Sequence, residues 1–196
     1  MTSLLLIVGL GNPGLEYWWT RHNLGWCVAC AFAKKFGVSF ERDKESKGKV
    51  ASFVLDPETK VEGRLLLPNT YMNLSGRSIR RAINKYRVPA DRICVVCDDV
   101  HLDFGQMRLS ERGGHGGHNG LRDIEVQLGT REYVRLKIGI GEGTGVWADH
   151  VLNEWTLEEK ESMPKIWERG VFILEEWCRK GITLAQRALS QLDGGK

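Results

Sequence analysis

A histidine ahead of a helix, a pair of aspartates closing an apolar run, and asparagines set beside glycines are the residues of this chain best suited to chemistry. His22, in Thr20-Arg21-His22-Asn23, carries the side chain whose ordinary pKa suits a general base near neutrality. Asp98 follows the apolar run Ile93 to Cys97, where a carboxylate could fix the tautomer of an imidazole. Asn12, Asn73 and Asn119 each adjoin or lie near glycine. An amide is no base at neutral pH, but it donates two hydrogen bonds and accepts others, which suits holding a water or a developing oxyanion. There is no GxSxG elbow and no cysteine in a nucleophile setting, so nothing indicates an acyl-enzyme. Any one of these residues alone is more often structural. As a set they point to hydrolysis by an activated water.

Three other chemistries compete. Gly9-Leu10-Gly11-Asn12-Pro13-Gly14 is a literal GxGxxG after an apolar strand pattern, but a dinucleotide loop must open directly onto a helix. Here Pro13 sits inside the loop and the stretch Glu16 to His22 intervenes, which disfavours a nicotinamide-dependent enzyme. Cys27-x-x-Cys30 and Cys94-x-x-Cys97 have zinc-ligand spacing. The second pair lies in a strand pattern, where positions three apart face opposite sides of the sheet. The first lies on a helix among small apolar residues, so both pairs read as core packing. Asp98, Asp99, His101 and Asp103, with His115 and His118, could in principle ligate a divalent ion. HxxH in a glycine loop lacks the helix that fixes the geometry of HExxH, and no metal is expected.

These residues need elements to hold them. Leu4 to Gly9 reads as a buried strand. Asn23 is placed to cap a helix running to about Phe36 and closed by Gly37. Lys49 to Leu55 and Val61 to Leu67 alternate around Asp56-Pro57-Glu58, a hairpin signal. Ser75 to Arg87 is helical, Ile93 to Cys97 a strand, and Gly113 to Gly120 a loop feeding a helix near Leu121. Tyr133 to Ile140 is a further strand; Thr156 and Glu159 form a capping box for a helix to about Arg179, and a last helix covers about Thr183 to Leu192. Strands alternating with helices predict an α/β fold: a single domain over 1–196, a twisted mixed sheet with helices on both faces.

Composition bounds the partners. The 196 residues, 42% hydrophobic and 27% charged, would bury roughly 70% of the unfolded surface. No apolar run approaches the roughly 20 residues of a membrane span, and Met1-Thr2-Ser3 carries no basic charge of a secretory signal. Five cysteines, an odd number, fit a reducing cytoplasm. Net charge is only +3, but Arg77, Arg80, Arg81, Lys85, Arg87 and Arg92 cluster in one stretch, whereas Glu154 to Glu176 is acidic. A basic face is what a phosphate backbone requires, although an isolated basic stretch is more often a solvated helix face.

Five blocks in order resemble the bacterial-type peptidyl-tRNA hydrolase family: Gly9 to Gly14 running through Tyr17 to Asn23; Asn69-Thr70-Tyr71-Met72-Asn73-Leu74-Ser75-Gly76; Asp98-Asp99; Gly113 to Leu121; and Arg135-Leu136-Lys137-Ile138-Gly139-Ile140-Gly141. The resemblance implies cleavage of the ester between a peptide and the 3′-terminal ribose of tRNA, recycling tRNA from aborted translation. It implies His22 as base, Asp98 as its orienting carboxylate, Asn12 and Asn119 as water, substrate or oxyanion ligands, and Asn73 beside the ester. Tyr17, Tyr71, Met72 and His118 match the peptide and acceptor-end groove, and Lys137 a 5′-phosphate ligand. The family's second basic clamp residue is replaced by Ser110, so either Arg108 or Arg112 substitutes or the clamp is weaker in this chain. Where members read Asp-Leu-Pro, this chain has His101-Leu102-Asp103. The expectation is a cytoplasmic monomer without metal or cofactor that binds the acceptor stem and 3′ end of peptidyl-tRNA. A non-catalytic RNA-binding relative is the alternative.

Overall fold

Strand β1 (Leu5–Gly9) is buried along its whole length because both of its faces are covered. Its alternate residues serve two cores: Leu5 and Ile7 join one apolar cluster, Leu6 and Val8 the other. A strand covered on both faces is a continuous apolar run, and burying each such side chain contributes about 1.5–3 kcal/mol. The computed structural model describes residues 4–56, 61–143 and 147–194. Around β1 stand β2 (Glu41–Asp43), β3 (Gly48–Asp56), β4 (Val61–Pro68), β5 (Ile93–Asp99), β6 (Met107–Arg112) and β7 (Glu132–Gly139), in the order β2-β3-β4-β1-β5-β7-β6. Strand β1 runs parallel to β4 and β5, and β5 to β7, while β3 and β6 are antiparallel to their neighbours. The sheet is mixed, as expected.

Helices α1 (Leu24–Lys35), α5 (Leu157–Lys180) and α6 (Ile182–Gly194) close one face. Helices α2 (Ser75–Tyr86) and α3 (Asn119–Leu128) close the other, and α4 (Trp147–Leu152) lies near the carboxyl end of the parallel strands. In an open α/β sheet that end is where ligands bind, beside the strand from which connections diverge. Here that strand is β1, flanked by β4 and β5.

The glycines after β1 serve packing. A Cβ on Gly9 would lie 2.4 Å from the Gly25 carbonyl oxygen, and one on Gly25 would lie 2.3 Å from that of Val96. The start of α1 therefore rests directly on the sheet backbone. No helix of regular length opens from the loop; short 3-10 turns at Leu15–Tyr17 and Arg21–Asn23 precede α1. Cys94 and Cys97 fall in the two opposite cores, as strand geometry demands, and burial pushes the Cys27 thiol up to about 12.

Several sequence expectations need correction. Asn23 occupies the cap position of α1, yet its side chain makes no cap bond. Helix α3 starts two residues before Leu121, with His118 as its cap. Strands β2 and β6 and helix α4 escaped notice: β6 buries only Met107 and Leu109, too few alternating apolar residues to register. The hairpin arms pair as expected, but Pro57 and Glu58 lie outside the described residues, as do Met1 to Ser3. The Thr156–Glu159 capping box is present.

Candidate active site

Asp98 sits near the carboxyl end of β5 with its residue 2% exposed, and two imidazoles meet it. His22 places Nδ1 2.9 Å from Oδ1 and 3.1 Å from Oδ2. His118 places Nε2 3.1 Å from Oδ1, and the ring centroids are 4.8 Å apart. Burial alone would raise the Asp98 carboxyl, but the facing His22 and His118 and their hydrogen bonds hold it well below the usual carboxylate range. The acceptor is ionised, so each histidine must donate.

That requirement fixes the protons. His22 donates from Nδ1, leaving Nε2 with a free lone pair. His118 is bound at both nitrogens: its Nδ1 accepts from the backbone amides of Gly120, at 3.1 Å, and Leu121, at 3.3 Å. Its hydrogen is therefore on Nε2, facing Asp98. Burial pushes the His118 imidazole below its ordinary value, against the pull of the Asp98 charge, which agrees with a neutral ring capping a helix. One histidine has a nitrogen available for proton transfer; the other has none.

The His22 arm is held by residues whose role the sequence did not disclose. Asn23, fully buried, clamps the loop after β1: its Oδ1 accepts from the Asn12 amide at 2.8 Å and its Nδ2 donates to the Asn12 carbonyl at 3.0 Å. Arg21 is also buried, bonding the carbonyl of Glu154 and both carboxylate oxygens of Glu159, with Trp155 beneath the guanidinium. That pins the turn carrying His22 to the start of α5. The sequence marked Asn23 only as a helix cap, and Arg21 only by its place beside His22.

Asn12 accepts from the Met72 amide at 2.7 Å through Oδ1, so its Nδ2 hydrogens are what it can offer a substrate. Met72 contributes that backbone amide; its side chain is packed in the core against Gly120. Asn73 and Tyr71 are exposed next to it, and Tyr17 is half-buried in the first 3-10 turn. Asn119 heads α3 and, with His22, Asp98, His115, His118 and Lys137, lines a cavity of about 140 Å³ under Trp147. Lys137 reaches it from β7, where Nζ donates to Asp99 Oδ2 at 3.0 Å. Arg108, exposed on β6, is the cross-strand partner of Lys137 and shares its face of the sheet. Arg112 does not: it pairs with Glu132 at the far end of β7, about 23 Å from Gly139 at ~3.3 Å per residue. The segment His101 to Asp103 folds back on the end of β7, the Gly141 amide donating to Leu102 O at 3.1 Å and the Gly105 amide to Gly139 O at 3.0 Å. A Cβ on Gly139 would strike the Asp103 carbonyl oxygen, which is why glycine stands there.

His22, Asp98 and His118 bring three donor atoms within 4.8 Å of one another, close enough to suggest a cation. The chemistry of the donors fits poorly. His118 turns an N–H toward the group, and its only lone pair is engaged by the helix amides. A metal-binding imidazole must present a lone pair.

A doubly covered α/β sheet, with a buried carboxylate and an imidazole meeting at the crevice beside β1, is the arrangement of a hydrolase site. The peptidyl-tRNA hydrolase family model matches residues 6–194. The peptidyl-tRNA hydrolase of Pelobacter propionicus is 41% identical, with 93% of each chain covered. That of Nocardia farcinica is 40% identical, over 96% of this chain and 97% of its own. The crystal structure of peptidyl-tRNA hydrolase from Acinetobacter baumannii superposes with a TM-score of 0.88 at 34% identity, covering 96% of this chain and 95% of that one. The chain belongs to the peptidyl-tRNA hydrolase family, and hydrolysis of peptidyl-tRNA is its reaction. Among the described residues, no helix is long and apolar enough to cross a membrane.

Proposed function

We propose that His22 is the general base of this hydrolysis, that Asp98 fixes its tautomer, and that no metal takes part. A water beside Nε2 loses a proton to His22 as its oxygen attacks the ester carbonyl joining the peptide to the 3′-terminal ribose. The tetrahedral oxyanion takes hydrogen bonds from amide groups, those of Asn119 and the Nδ2 of Asn12. As the intermediate collapses, the C–O bond to the ribose breaks and the imidazolium returns its proton to the leaving oxygen. Asp98 stays ionised throughout and stabilises the transient imidazolium. Asn73, Tyr71 and Tyr17 hold the acceptor end and peptide, and Lys137 a phosphate, its ammonium already shared with Asp99. Arg108 is the residue placed to assist Lys137. The product is free tRNA, returned to translation in the cytoplasm by an enzyme acting as a monomer.

The observation that supports this reading best is the engagement of His22 Nδ1 by both Asp98 oxygens, which leaves Nε2 as the basic nitrogen. Release of labelled peptide from peptidyl-tRNA tests it. His22→Ala should lower kcat by about 10² or more, the scale of a lost general base, with tRNA affinity little changed. Wild-type activity should survive exhaustive EDTA treatment. A His22→Ala variant with near-normal kcat, or stoichiometric zinc whose removal abolishes turnover, would refute the assignment.

A further inference from the structure

His22 sits in a single turn of 3-10 helix, Arg21–Asn23, and so short a turn has little stability of its own. Three residues per turn also send three consecutive side chains in three directions. All three are buried here, and each goes to a different part of the fold. His22 reaches Asp98 on β5, Asn23 clamps Asn12 after β1, and Arg21 enters the junction between α4 and α5. The direction of the imidazole is therefore set by the two side chains beside it as well as by Asp98.

The junction holds Arg21 by backbone and side chain together. Its amide donates to Asn153 O at 3.2 Å, and Thr20 forms an antiparallel bridge with Glu154. Its Nη1 donates to Glu154 O at 2.8 Å and to Asn153 O at 3.3 Å. Its Nη2 meets Glu159 Oε1 at 3.0 Å and Oε2 at 2.7 Å. Trp155, itself buried, lies against the guanidinium with its ring centroid 5.1 Å away. Asn153 directly follows α4, whose Trp147 and Val151 line the cavity that holds His22. One guanidinium thus ties that wall of the cavity to the turn that carries the imidazole.

Glu159 serves two groups at once. Its Oε2 accepts from the Thr156 amide at 2.7 Å, as the capping box of α5 requires, and from Arg21. Burial would raise its carboxyl, but the Thr156 amide and the Arg21 guanidinium bring it below its ordinary value. A capping box needs only an acceptor, which Gln supplies as well as Glu. A buried guanidinium needs the charge. The carboxylate at 159 is therefore what the Arg21 contact demands, and the cap alone does not.

We propose that Arg21 and Glu159 are positioning residues for the hydrolysis, holding His22 in line with Asp98 and against α4 through the 3-10 turn. The proposal rests on His22 being the base; it adds what keeps that base in register. Neither residue lines the cavity, so both act through His22.

Three variants test it. Arg21→Lys keeps the charge but loses the planar fork that spans two carbonyls and a carboxylate. Glu159→Gln keeps the capping box and loses the charge. Thr156→Ala is the control, because it removes the cap of α5 and leaves Arg21 and Glu159 in place. Release of labelled peptide from peptidyl-tRNA should show kcat lowered about tenfold or more by Arg21→Lys and by Glu159→Gln, the scale of a slightly misplaced group. KM should change little. The double variant should lose no more than the larger single loss, because the two residues act as one contact. Thr156→Ala should unfold at a lower temperature and keep wild-type kcat. In 15N–1H spectra the His22 proton should be shared between Nδ1 and Nε2 in Arg21→Lys and Glu159→Gln, and stay on Nδ1 in Thr156→Ala. Wild-type kcat with an unaltered His22 spectrum, in whichever of the two variants folds, would overturn the proposal. So would an equal loss of kcat in Thr156→Ala, which would reduce the role of Glu159 to the stability of α5. If His22→Ala keeps near-normal kcat, the reading of His22 fails instead, and the His22 spectra still decide the positioning.

Discussion

Two arms of the molecule bring a histidine to the same carboxylate, and they bring it in opposite ways. The amino-terminal arm enters α1 through a 3-10 turn and presents His22 by Nδ1. The glycine-rich arm enters α3 through an extended residue and presents His118 by Nε2, its other nitrogen capping the helix. Residue type, burial and partner are nearly the same, with both side chains 8% exposed. What differs is the backbone amide pair at the start of α3, which occupies the one lone pair that His118 has. Local helix geometry thus leaves one imidazole a free nitrogen and engages both nitrogens of the other.

The largest way to break that contrast is to remove the group both arms share. Asp98→Asn keeps the shape but offers an amide in place of a charged acceptor, so one tautomer is no longer enforced and the imidazolium loses its counter-charge. A fall in kcat of about 10² or more is expected, comparable to that of His22→Ala and not multiplied by it in the double variant, because residues acting as a unit are non-additive. Additive losses in steady-state kinetics would show that Asp98 serves some other group.

The arms should then separate. His118→Ala should cost about tenfold in kcat, because Asp98 loses one of its two donors while the base remains. It should also cost about 1 kcal/mol of stability from the lost cap of α3. His118→Asn restores an acceptor for the Gly120 and Leu121 amides and should recover the stability without recovering the rate. A loss on His118→Ala as large as that of His22→Ala would merge the two roles.

A smaller effect sharpens the same point through pH. The His118 pKa is depressed in the fold, so below about pH 6.5, the ordinary imidazole value, the unfolded chain takes up a proton that the folded site resists. The stability contributed is fully present above that pH and is lost as pH falls toward the folded value. Denaturant titrations of wild type and His118→Asn should agree near pH 7 and separate as the pH drops to 5, the wild type losing stability that the variant, with no imidazole at 118, keeps. Parallel curves would mean that His118 is not buried as a neutral ring.

Much of this is legible in the chain alone. Strand β1, the alternation of strands and helices, and the capping box of α5 follow from apolar periodicity and local hydrogen-bonding chemistry. His22 and Asp98 stand out because their types match a reaction and each sits at the boundary of an element. What cannot be read is which residues meet across the chain. Asn23 resembles a helix cap because its position fits one, yet its amide clamps Asn12 eleven residues back. His118 resembles a groove residue because nothing local reveals that its ring turns inward to Asp98. Arg112 and Arg108 are equivalent in sequence as stand-ins at Ser110, until the register of β6 on β7 puts Arg112 at the far end of the sheet.

The division between the two histidines is most directly tested by 15N–1H correlation spectra of the imidazole rings at neutral pH, assigned with His22→Gln and His118→Gln variants. The account predicts a proton on Nδ1 and an unprotonated Nε2 for His22, and the reverse for His118. The same tautomer on both rings, or a proton on Nδ1 of His118, would contradict it.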